Sequence, residues 1–250
     1  MDAKTKTRIS IKQIINDLIP DINYQLLFTF ILGLVVLYFV FFKLLKTKTS
    51  KNVIALLGLC GSGKTQLFYQ LCHGTDVLSV TSVKESSHSL SLNDSRKVTV
   101  YDIPGHDRIR YSLFDKIKSQ LKALIFVIDA STIQEEIKDV AEFLYTILCD
   151  GSVQGCKPNV LIVCNKQDIP FAKGASLIKS SLEKEMNLLR VTKSNQLKSV
   201  GTGENNNSFL GYQDQDFEFN QLKSFKISFV DAVASKGEQI DNIKDWLKTI

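Results

Sequence analysis

The octapeptide GLCGSGKT, residues 58–65, combines glycines, a lysine and a threonine in an order that suits phosphate binding. Gly58 and Gly63 permit backbone turns that other residues resist, so successive amide N–H groups can converge on one phosphate at the start of a helix. The Lys64 ammonium then reaches the β- and γ-phosphates, and the Thr65 hydroxyl binds Mg²⁺. An ordinary glycine turn is the alternative. We assign phosphate binding to six loop residues: Gly58, Gly61, Ser62, Gly63, Lys64 and Thr65.

The segments on either side of the octapeptide favour phosphate binding over a simple turn. Residues 52–57, NVIALL, form an apolar run of strand length, and residues 65–72 have apolar spacing that suits a helix. A strand, a glycine-rich loop and a helix in this order are the context that a P-loop requires.

A second motif, DIPG at residues 102–105, follows the strand-like segment 97–101. An aspartate at the end of a strand can hold Mg²⁺ through a water molecule. The amide of Gly105 can bond to a γ-phosphate only when that phosphate is present. We therefore predict that Asp102 is an indirect metal ligand and that Gly105 senses the nucleotide state. Alone, this motif is a weak signal, because the same pattern is more often a turn.

The third motif, NKQD at residues 165–168, decides which base is bound. It follows the buried-type strand 160–164, and the Asp168 carboxylate can accept hydrogen bonds from the ring N–H and the exocyclic amine of guanine. Adenine offers neither donor at those positions, so the carboxylate would be left unpaired. The three motifs in this order predict a site for GTP or GDP with Mg²⁺, with Asn165, Lys166 and Asp168 on the nucleotide.

A fourth segment, DAVASKG at residues 231–237, follows the last predicted strand, residues 225–230. Guanine-binding domains place here a loop whose amide touches O6 of the base. We assign this contact to Ala234, with Ser235 one register away as the competing assignment. A loop without nucleotide contact is the remaining alternative.

These motifs must be positioned by a sheet whose strands end at one edge. Strand-like segments alternate with helical apolar spacing, as at residues 133–147 and 240–250. We therefore predict an α/β domain of the P-loop NTPase class over residues 52–250, with a mostly parallel six-stranded sheet and helices on both faces. The periodicity disappears after Lys193, which predicts a mobile surface loop over residues 194–215.

The N-terminal part of the chain contains an apolar segment. Residues 22–42 carry no charge and as a helix would span about 31 Å, close to the hydrocarbon thickness of a bilayer. A buried core helix and a cleaved signal peptide are the alternatives, and the lack of a polar face and the lysines that follow argue against them. The lysines of the linker 43–51 favour a single span with a cytosolic domain after it. Residues 1–21 are then a lumenal tail, either a short amphipathic helix or disordered.

Composition narrows the class of protein further. The chain has 250 residues and a net charge of +5. Removing the anchor leaves about 200 residues, enough for one domain. Basic residues cluster beside the apolar segment and mix with acidic residues elsewhere, which is not the pattern expected for direct nucleic-acid binding. The five cysteines show no metal-ligand spacing, which indicates free thiols in a reducing compartment.

The order GLCGSGKT, DIPGHD and NKQD resembles the Arf and Sar branch of small GTPases. The apolar N-terminal segment and His106 directly after the DIPG glycine resemble the signal recognition particle receptor β-subunit family, as do the stretches VTSV, EMNLLRVTK and DFEFNQL at residues 80–83, 185–193 and 216–222. This resemblance implies a single-pass anchor in the endoplasmic reticulum membrane that binds the receptor α subunit in the GTP state during co-translational protein targeting. The ribosome and the translocon are further candidate contacts.

Two residue roles depend on that resemblance. It implies that Thr81 is the switch threonine that senses Mg²⁺ and the γ-phosphate, with an ordinary strand-edge threonine as the alternative. Small GTPases that hydrolyse well have a glutamine that orients water where this chain has His106. We therefore predict weak or partner-controlled hydrolysis, in which His106 either positions water or is a surface residue of the second helix without a catalytic part.

The alternative function is an Arf/Sar-like GTPase of vesicle traffic that cycles on and off the membrane, which a spanning helix contradicts. An ATP-dependent kinase or pump subunit is disfavoured by Asp168 and by the lack of further nucleotide motifs.

Overall fold

The computed structural model describes residues 24–45, 51–75, 85–93, 96–200 and 209–250. The chain divides into two compact units, Met1–Lys48 and Thr49–Ile250. The predicted tail 1–21 and the switch residue Thr81 lie outside the described residues, as do residues 46–50 of the linker.

In the first unit, the described residues form a helix, α1, at Tyr24–Leu45. Those of its large apolar side chains that the structure describes are exposed, and both Phe30 and Phe39 have 68% of their surface accessible. Among the described residues, no helix is found that is both long and apolar enough to cross a membrane. Residues 22 and 23 of the predicted span lie outside the described part, so the membrane helix at 22–42 stays a prediction.

The second unit is built on a twisted layer of strands between two layers of helices. The strands are β1 Val53–Leu57, β2 Ser86–Asn93, β3 Arg96–Asp102, β4 Leu121–Asp129, β5 Asn159–Asn165 and β6 Lys226–Asp231. They form one six-stranded sheet in the order β2-β3-β1-β4-β5-β6. Neighbouring strands are parallel, except that β2 runs antiparallel to β3. The predicted mostly parallel six-stranded sheet is confirmed.

The helices of this unit cover both faces of the sheet. They are α2 Lys64–His73, α3 Asp107–Ile117, α4 Ile133–Cys149, α5 Gly151–Cys156, α6 Ala175–Val200 and α7 Ile240–Thr249. Short 3-10 turns occur at Lys118–Gln120 and Phe219–Gln221. Apolar residues of α3, α4, α5 and α6 pack on one face, and those of α2 and α7 pack on the other.

The central strands are apolar on both faces because both faces are covered. In β1, Ala55 and Leu57 belong to one apolar cluster, whereas Ile54 and Leu56 belong to the other. Successive side chains of a strand point to opposite faces, so a strand between two helix layers needs a continuous apolar run. Since β1, β3, β4, β5 and β6 are parallel, their carboxyl ends lie at one edge, where the motifs begin.

The segment 194–215 differs from the loop that was predicted. Helix α6 continues to Val200, residues 201–208 lie outside the described part, and Leu210 is buried. The residues between Lys193 and Gly201 lack a regular apolar face, but none of them is glycine or proline, so the helix can continue until Gly201. Loss of apolar spacing therefore did not mark the end of the helix.

Candidate nucleotide-binding site

The loop between β1 and α2 approaches neighbouring atoms too closely for any residue but glycine at two positions, once against backbone and once against a buried side chain. Gly58 has φ 146°, and a Cβ atom there would lie 2.1 Å from the Val127 carbonyl oxygen. Gly63 has φ 89° at the N-terminus of α2, and a Cβ atom there would lie 2.2 Å from Nδ2 of Asn165. The loop is thereby held against β4 and β5, with the helix N-terminus open to an anion.

Lys64 is a buried cation folded back over this loop. Its Nζ donates hydrogen bonds to the Leu59 carbonyl at 2.6 Å and to the Ser62 hydroxyl at 3.3 Å. Burial lowers the pKa of Lys64 to about 8, although the nearby Asp102 carboxylate opposes this shift. An ammonium ion with so little hydration is strongly stabilised by an anion, and phosphate oxygens supply one.

Asp102 and Thr65 offer a pair of oxygen atoms that suits a hard cation. The Thr65 hydroxyl donates to Oδ2 of Asp102 at 2.7 Å. The other carboxylate oxygen, Oδ1, is buried and makes no hydrogen bond in the described part of the structure. Burial raises the pKa of Asp102, while the Thr65 hydrogen bond and the Lys64 charge lower it. A buried carboxylate oxygen without a partner is costly, and Mg²⁺ or its water shell would satisfy it.

Gly105 brings the DIPG segment into backbone contact with the phosphate loop. A Cβ atom at Gly105 would lie 2.5 Å from the Cys60 nitrogen and 2.6 Å from the Leu59 carbonyl carbon. The next residue, His106, is exposed and forms the N-cap of α3, where its Nδ1 accepts a hydrogen bond from the Arg108 amide at 3.3 Å. This contact gives His106 a local structural role, and its predicted part in positioning water stays a prediction.

The Asn165 side chain joins the phosphate loop to the loop that follows β6. Its Nδ2 donates to the Ser62 carbonyl at 2.9 Å, and its Oδ1 accepts from the Ala234 amide at 2.9 Å. Asn165 is fully enclosed, so both ends of its amide need partners inside the protein. These two hydrogen bonds bring together three predicted site residues, one from each of three loops.

The same contact bears on the register of the loop after β6. The Ala234 amide, which was assigned to the base, is already bonded to Asn165. The Ser235 amide makes no hydrogen bond in the described structure. Of the two residues assigned to the base contact, Ser235 is therefore the one whose backbone amide has no partner among the described residues.

Two charged residues of NKQD have partners in the structure. Lys166, in a left-handed conformation with φ 66°, forms an ion pair of 2.5 Å with Asp129. Burial alone would raise the pKa of Asp129, but hydrogen bonds from Lys166 and Ser131 outweigh it and lower the pKa. Asp168 is partly exposed, and its Oδ2 lies 3.7 Å from Nζ of Lys236.

Asp129, which the motifs did not identify, lies beside the predicted site and pairs with Lys166. It is the last residue of β4, at the same edge of the sheet as the ends of β1 and β5. The available signal was an acidic residue that follows the apolar run ALIFVI at the end of the strand LKALIFVID.

The mostly parallel sheet carries a phosphate loop after the first strand, an aspartate–glycine pair after β3 and NKQD after β5. These features define a small GTPase domain related to the Arf family. The family model for "Signal recognition particle receptor beta subunit" matches residues 49–225. This chain belongs to the signal recognition particle receptor β-subunit family.

Individual relatives agree with that assignment. The signal recognition particle receptor subunit beta of Mus musculus is 40% identical over 225 residues, which are 86% of this chain and 83% of the relative. The corresponding protein of Dictyostelium discoideum is 32% identical over 209 residues, which are 82% of this chain and 71% of the relative. ADP-ribosylation factor K of the same organism is 29% identical over a shorter stretch of 141 residues, 56% of this chain and 72% of that protein. The comparisons favour the receptor subunit over the cycling GTPase.

Solved structures show the same fold. The structure described as "The Structure of the Mammalian SRP Receptor" has a TM-score of 0.70 and 40% identity, and the match covers 79% of this chain and 98% of that one. Two structures from Chaetomium thermophilum share the fold at lower identity. The SRb-GTP/SRX complex has a TM-score of 0.63 at 22% identity, and the match covers 79% of this chain and 99% of that one. SRb-GDP-Mg has a TM-score of 0.62 at 24% identity, and the match covers 82% of this chain and 99% of that one.

Proposed function

We propose that this protein binds GTP and GDP with Mg²⁺ at the edge where the parallel strands end. The observation that carries the proposal is the Asn165 side chain, which hydrogen bonds both to Ser62 in the phosphate loop and to Ala234 in the loop after β6. A nucleotide presents phosphates at one end and a base at the other. The two regions that would receive them are joined here by one buried amide.

The residues of the phosphate end fit the nucleotide and its metal. Lys64 is a dehydrated cation within the loop, and the unpaired Oδ1 of Asp102 lies beside the Thr65 hydroxyl. When bound, Mg²⁺ would neutralise phosphate charge, with Thr65 as a ligand and Asp102 acting through water. The names of the related C. thermophilum structures, which include GTP and GDP-Mg, support this ligand class.

The base end is proposed to recognise guanine. Asp168 would accept hydrogen bonds from the guanine ring N–H and amine, and the free Ser235 amide would donate to O6 in place of Ala234. The backbone contact between Gly105 and the phosphate loop supports a sensor for the γ-phosphate, which would have to enter beside that contact. Thr81 is proposed as the second sensor.

We further propose that the chain is anchored in the endoplasmic reticulum membrane by residues 22–42, with the GTPase domain in the cytosol. Support comes from the family and from α1, whose described large apolar side chains are exposed. In the GTP state, the domain would hold the receptor α subunit at the membrane, and hydrolysis would be weak or controlled by that partner. The pairing of GTP with a complex in the name "SRb-GTP/SRX complex" supports this view.

The nucleotide proposal is tested by extracting what purified full-length protein retains in detergent. Guanine nucleotide close to one per chain is the expected result, and Lys64→Ala should lose it. GTP in excess of GDP supports a stable GTP-bound receptor subunit, mostly GDP supports a cycling GTPase, and ATP overturns both. Protein loaded with GTP should then retain the receptor α subunit on beads, and protein loaded with GDP should not.

A further inference from the structure

The loop after NKQD exposes a phenylalanine in a conformation that phenylalanine rarely adopts. Phe171 has φ 69° and is 92% exposed. A bulky residue in the left-handed region carries about 1–3 kcal/mol of strain, and an apolar ring in water adds no compensating burial. Ile169, two residues earlier, is also exposed. An apolar, strained and exposed residue is explained if another surface covers it.

A groove lies next to this loop, between α4 and α6. Its volume is about 420 Å³, and its lining residues are Ile133, Gln134, Ile137, Lys173, Leu177, Ile178 and Ser181. Ile133 and Ile178 are buried at its base, whereas Leu177 is 58% exposed at its side. The groove is therefore large enough for several side chains and mainly aliphatic.

The charge at the groove determines what kind of occupant fits. Lys173 is the charged residue among those that line it, and its ammonium makes no hydrogen bond or ion pair in the described structure. An aliphatic groove with one unpaired ammonium complements a helix that has an apolar face and a carboxylate near that face.

Hydrogen bonds fix the backbone of the loop that carries Phe171 and Lys173. Nε2 of Gln167 donates to the Lys173 carbonyl at 2.9 Å, and the Lys173 amide donates to the Ala130 carbonyl at 3.0 Å. The Ala172 amide donates to the Ile169 carbonyl at 3.2 Å, which closes the turn that presents Phe171. A surface that is already ordered loses little entropy when it binds.

We infer that Phe171, Leu177 and Lys173, with the groove between α4 and α6, form a docking surface for an acidic amphipathic helix of a partner protein. Phe171 and Leu177 contribute apolar contact, and Lys173 pairs with a carboxylate of that helix. This surface goes beyond the nucleotide proposal and does not depend on it.

The test uses full-length protein in proteoliposomes, with Phe171 replaced by the photoreactive benzoylphenylalanine. Two synthetic amphipathic peptides of about 18 residues serve as probes, identical except that one carries glutamates and the other lysines beside the leucine face. Crosslinking should be about tenfold stronger with the glutamate peptide. Lys173→Glu should reverse this preference, and Leu177→Ser should weaken crosslinking of both peptides.

The matched control is Leu188→Ser, because Leu188 lies on the same helix, is 62% exposed and does not line the groove. It should leave crosslinking unchanged. Equal crosslinking of the two peptides, or an equal loss in Leu188→Ser and Leu177→Ser, would overturn the docking surface. Crosslinks mainly to lipid or to a second copy of the chain would overturn the proposed occupant, since they identify the membrane or a dimer instead.

Discussion

At the scale of single residues, Lys64 makes nucleotide affinity depend on pH. Burial lowers the pKa of Lys64 to about 8 in the free protein, whereas bound phosphate would favour the protonated ammonium and raise this pKa. The complex therefore holds a proton that the free protein loses as the pH rises through 8, so alkaline conditions favour release of the nucleotide. Between about pH 7 and pH 8.7, we expect the Kd for GDP with Mg²⁺ to increase about fivefold.

This prediction is checked by equilibrium binding of a fluorescent GDP to full-length protein in detergent. Lys64→Gln removes the titrating group, so its weaker binding should be nearly independent of pH over the same range. A wild-type profile as flat as that of the variant would contradict either the lowered pKa of Lys64 in the free protein or its contact with the phosphates.

Asp168 carries the predicted choice of base. Asp168→Asn replaces an acceptor of two hydrogen bonds with a group that also donates, which suits the exocyclic C2 carbonyl oxygen of xanthine and leaves the guanine amine without its partner. GDP affinity should fall at least about a hundredfold, and xanthosine diphosphate should bind better than GDP. Competition binding measures both values. Asp214→Asn, at an exposed position in the same unit, is the control and should behave like wild type.

The motifs predicted which residues meet at this edge but not how each uses its hydrogen bonds. GLCGSGKT and NKQD locate Ser62 in the loop after β1 and Asn165 at the end of β5, because the local sequence determines where a strand ends. The role of the Ala234 amide depends on Asn165, 69 residues away. The Asn165 side-chain amide needs these hydrogen-bond partners only because the folded chain buries it. The sequence alone therefore could not decide between Ala234 and Ser235.

At the scale of elements, Arg190 fixes the chain that follows α6. The buried guanidinium of Arg190 donates to the carbonyls of Leu210 and Tyr212, the latter at 2.7 Å, and to that of Gln215. Arg190→Met should leave these carbonyls without a donor and reduce the free energy of unfolding by about 2–4 kcal/mol. Denaturant unfolding measures the loss, and amide hydrogen exchange should be faster at residues 209–215.

Lys184→Met is the matched control for this change, because Lys184 lies exposed on the same helix. Its stability and exchange should remain those of wild type. Unchanged protection of residues 209–215 in Arg190→Met would mean that the segment is held by the burial of Leu210 rather than by the arginine.

The elements were predictable where one kind of contact dominates. The strands β1, β4 and β5 are mainly apolar because helices cover both of their faces, and α4 and α7 show a regular apolar stripe. The end of α6 was not predictable in this way, since the residues after Lys193 have no regular stripe and still continue the helix. The order around Leu210 depends on a hydrogen-bonding arginine from another element, which no periodicity reveals.

At the scale of the whole molecule, the sequence joins a nucleotide switch to an apolar N-terminal segment. A GTPase domain can control a partner only at the place to which the partner is recruited. If the domain were permanently anchored, its nucleotide state would change during the cycle while its membrane attachment would not. A permanent anchor would distinguish this chain from GTPases that cycle on and off the membrane, so insertion of residues 22–42 into the bilayer is the property to measure.

Membrane insertion of residues 22–42 is expected to fail when charges are placed at the centre of the segment. Each arginine there disfavours insertion by about 2.5–3.5 kcal/mol, so Leu34→Arg with Val35→Arg should turn a protein that resists alkaline carbonate extraction into one that is extracted. Leu188→Arg with Val191→Arg places the same charges on the exposed side of α6 and should leave the protein in the pellet. Protease added outside sealed microsomes should digest the GTPase domain, because the lysines after the segment retain it in the cytosol. Extraction of the wild-type chain by carbonate would mean that the apolar helix binds something other than a bilayer.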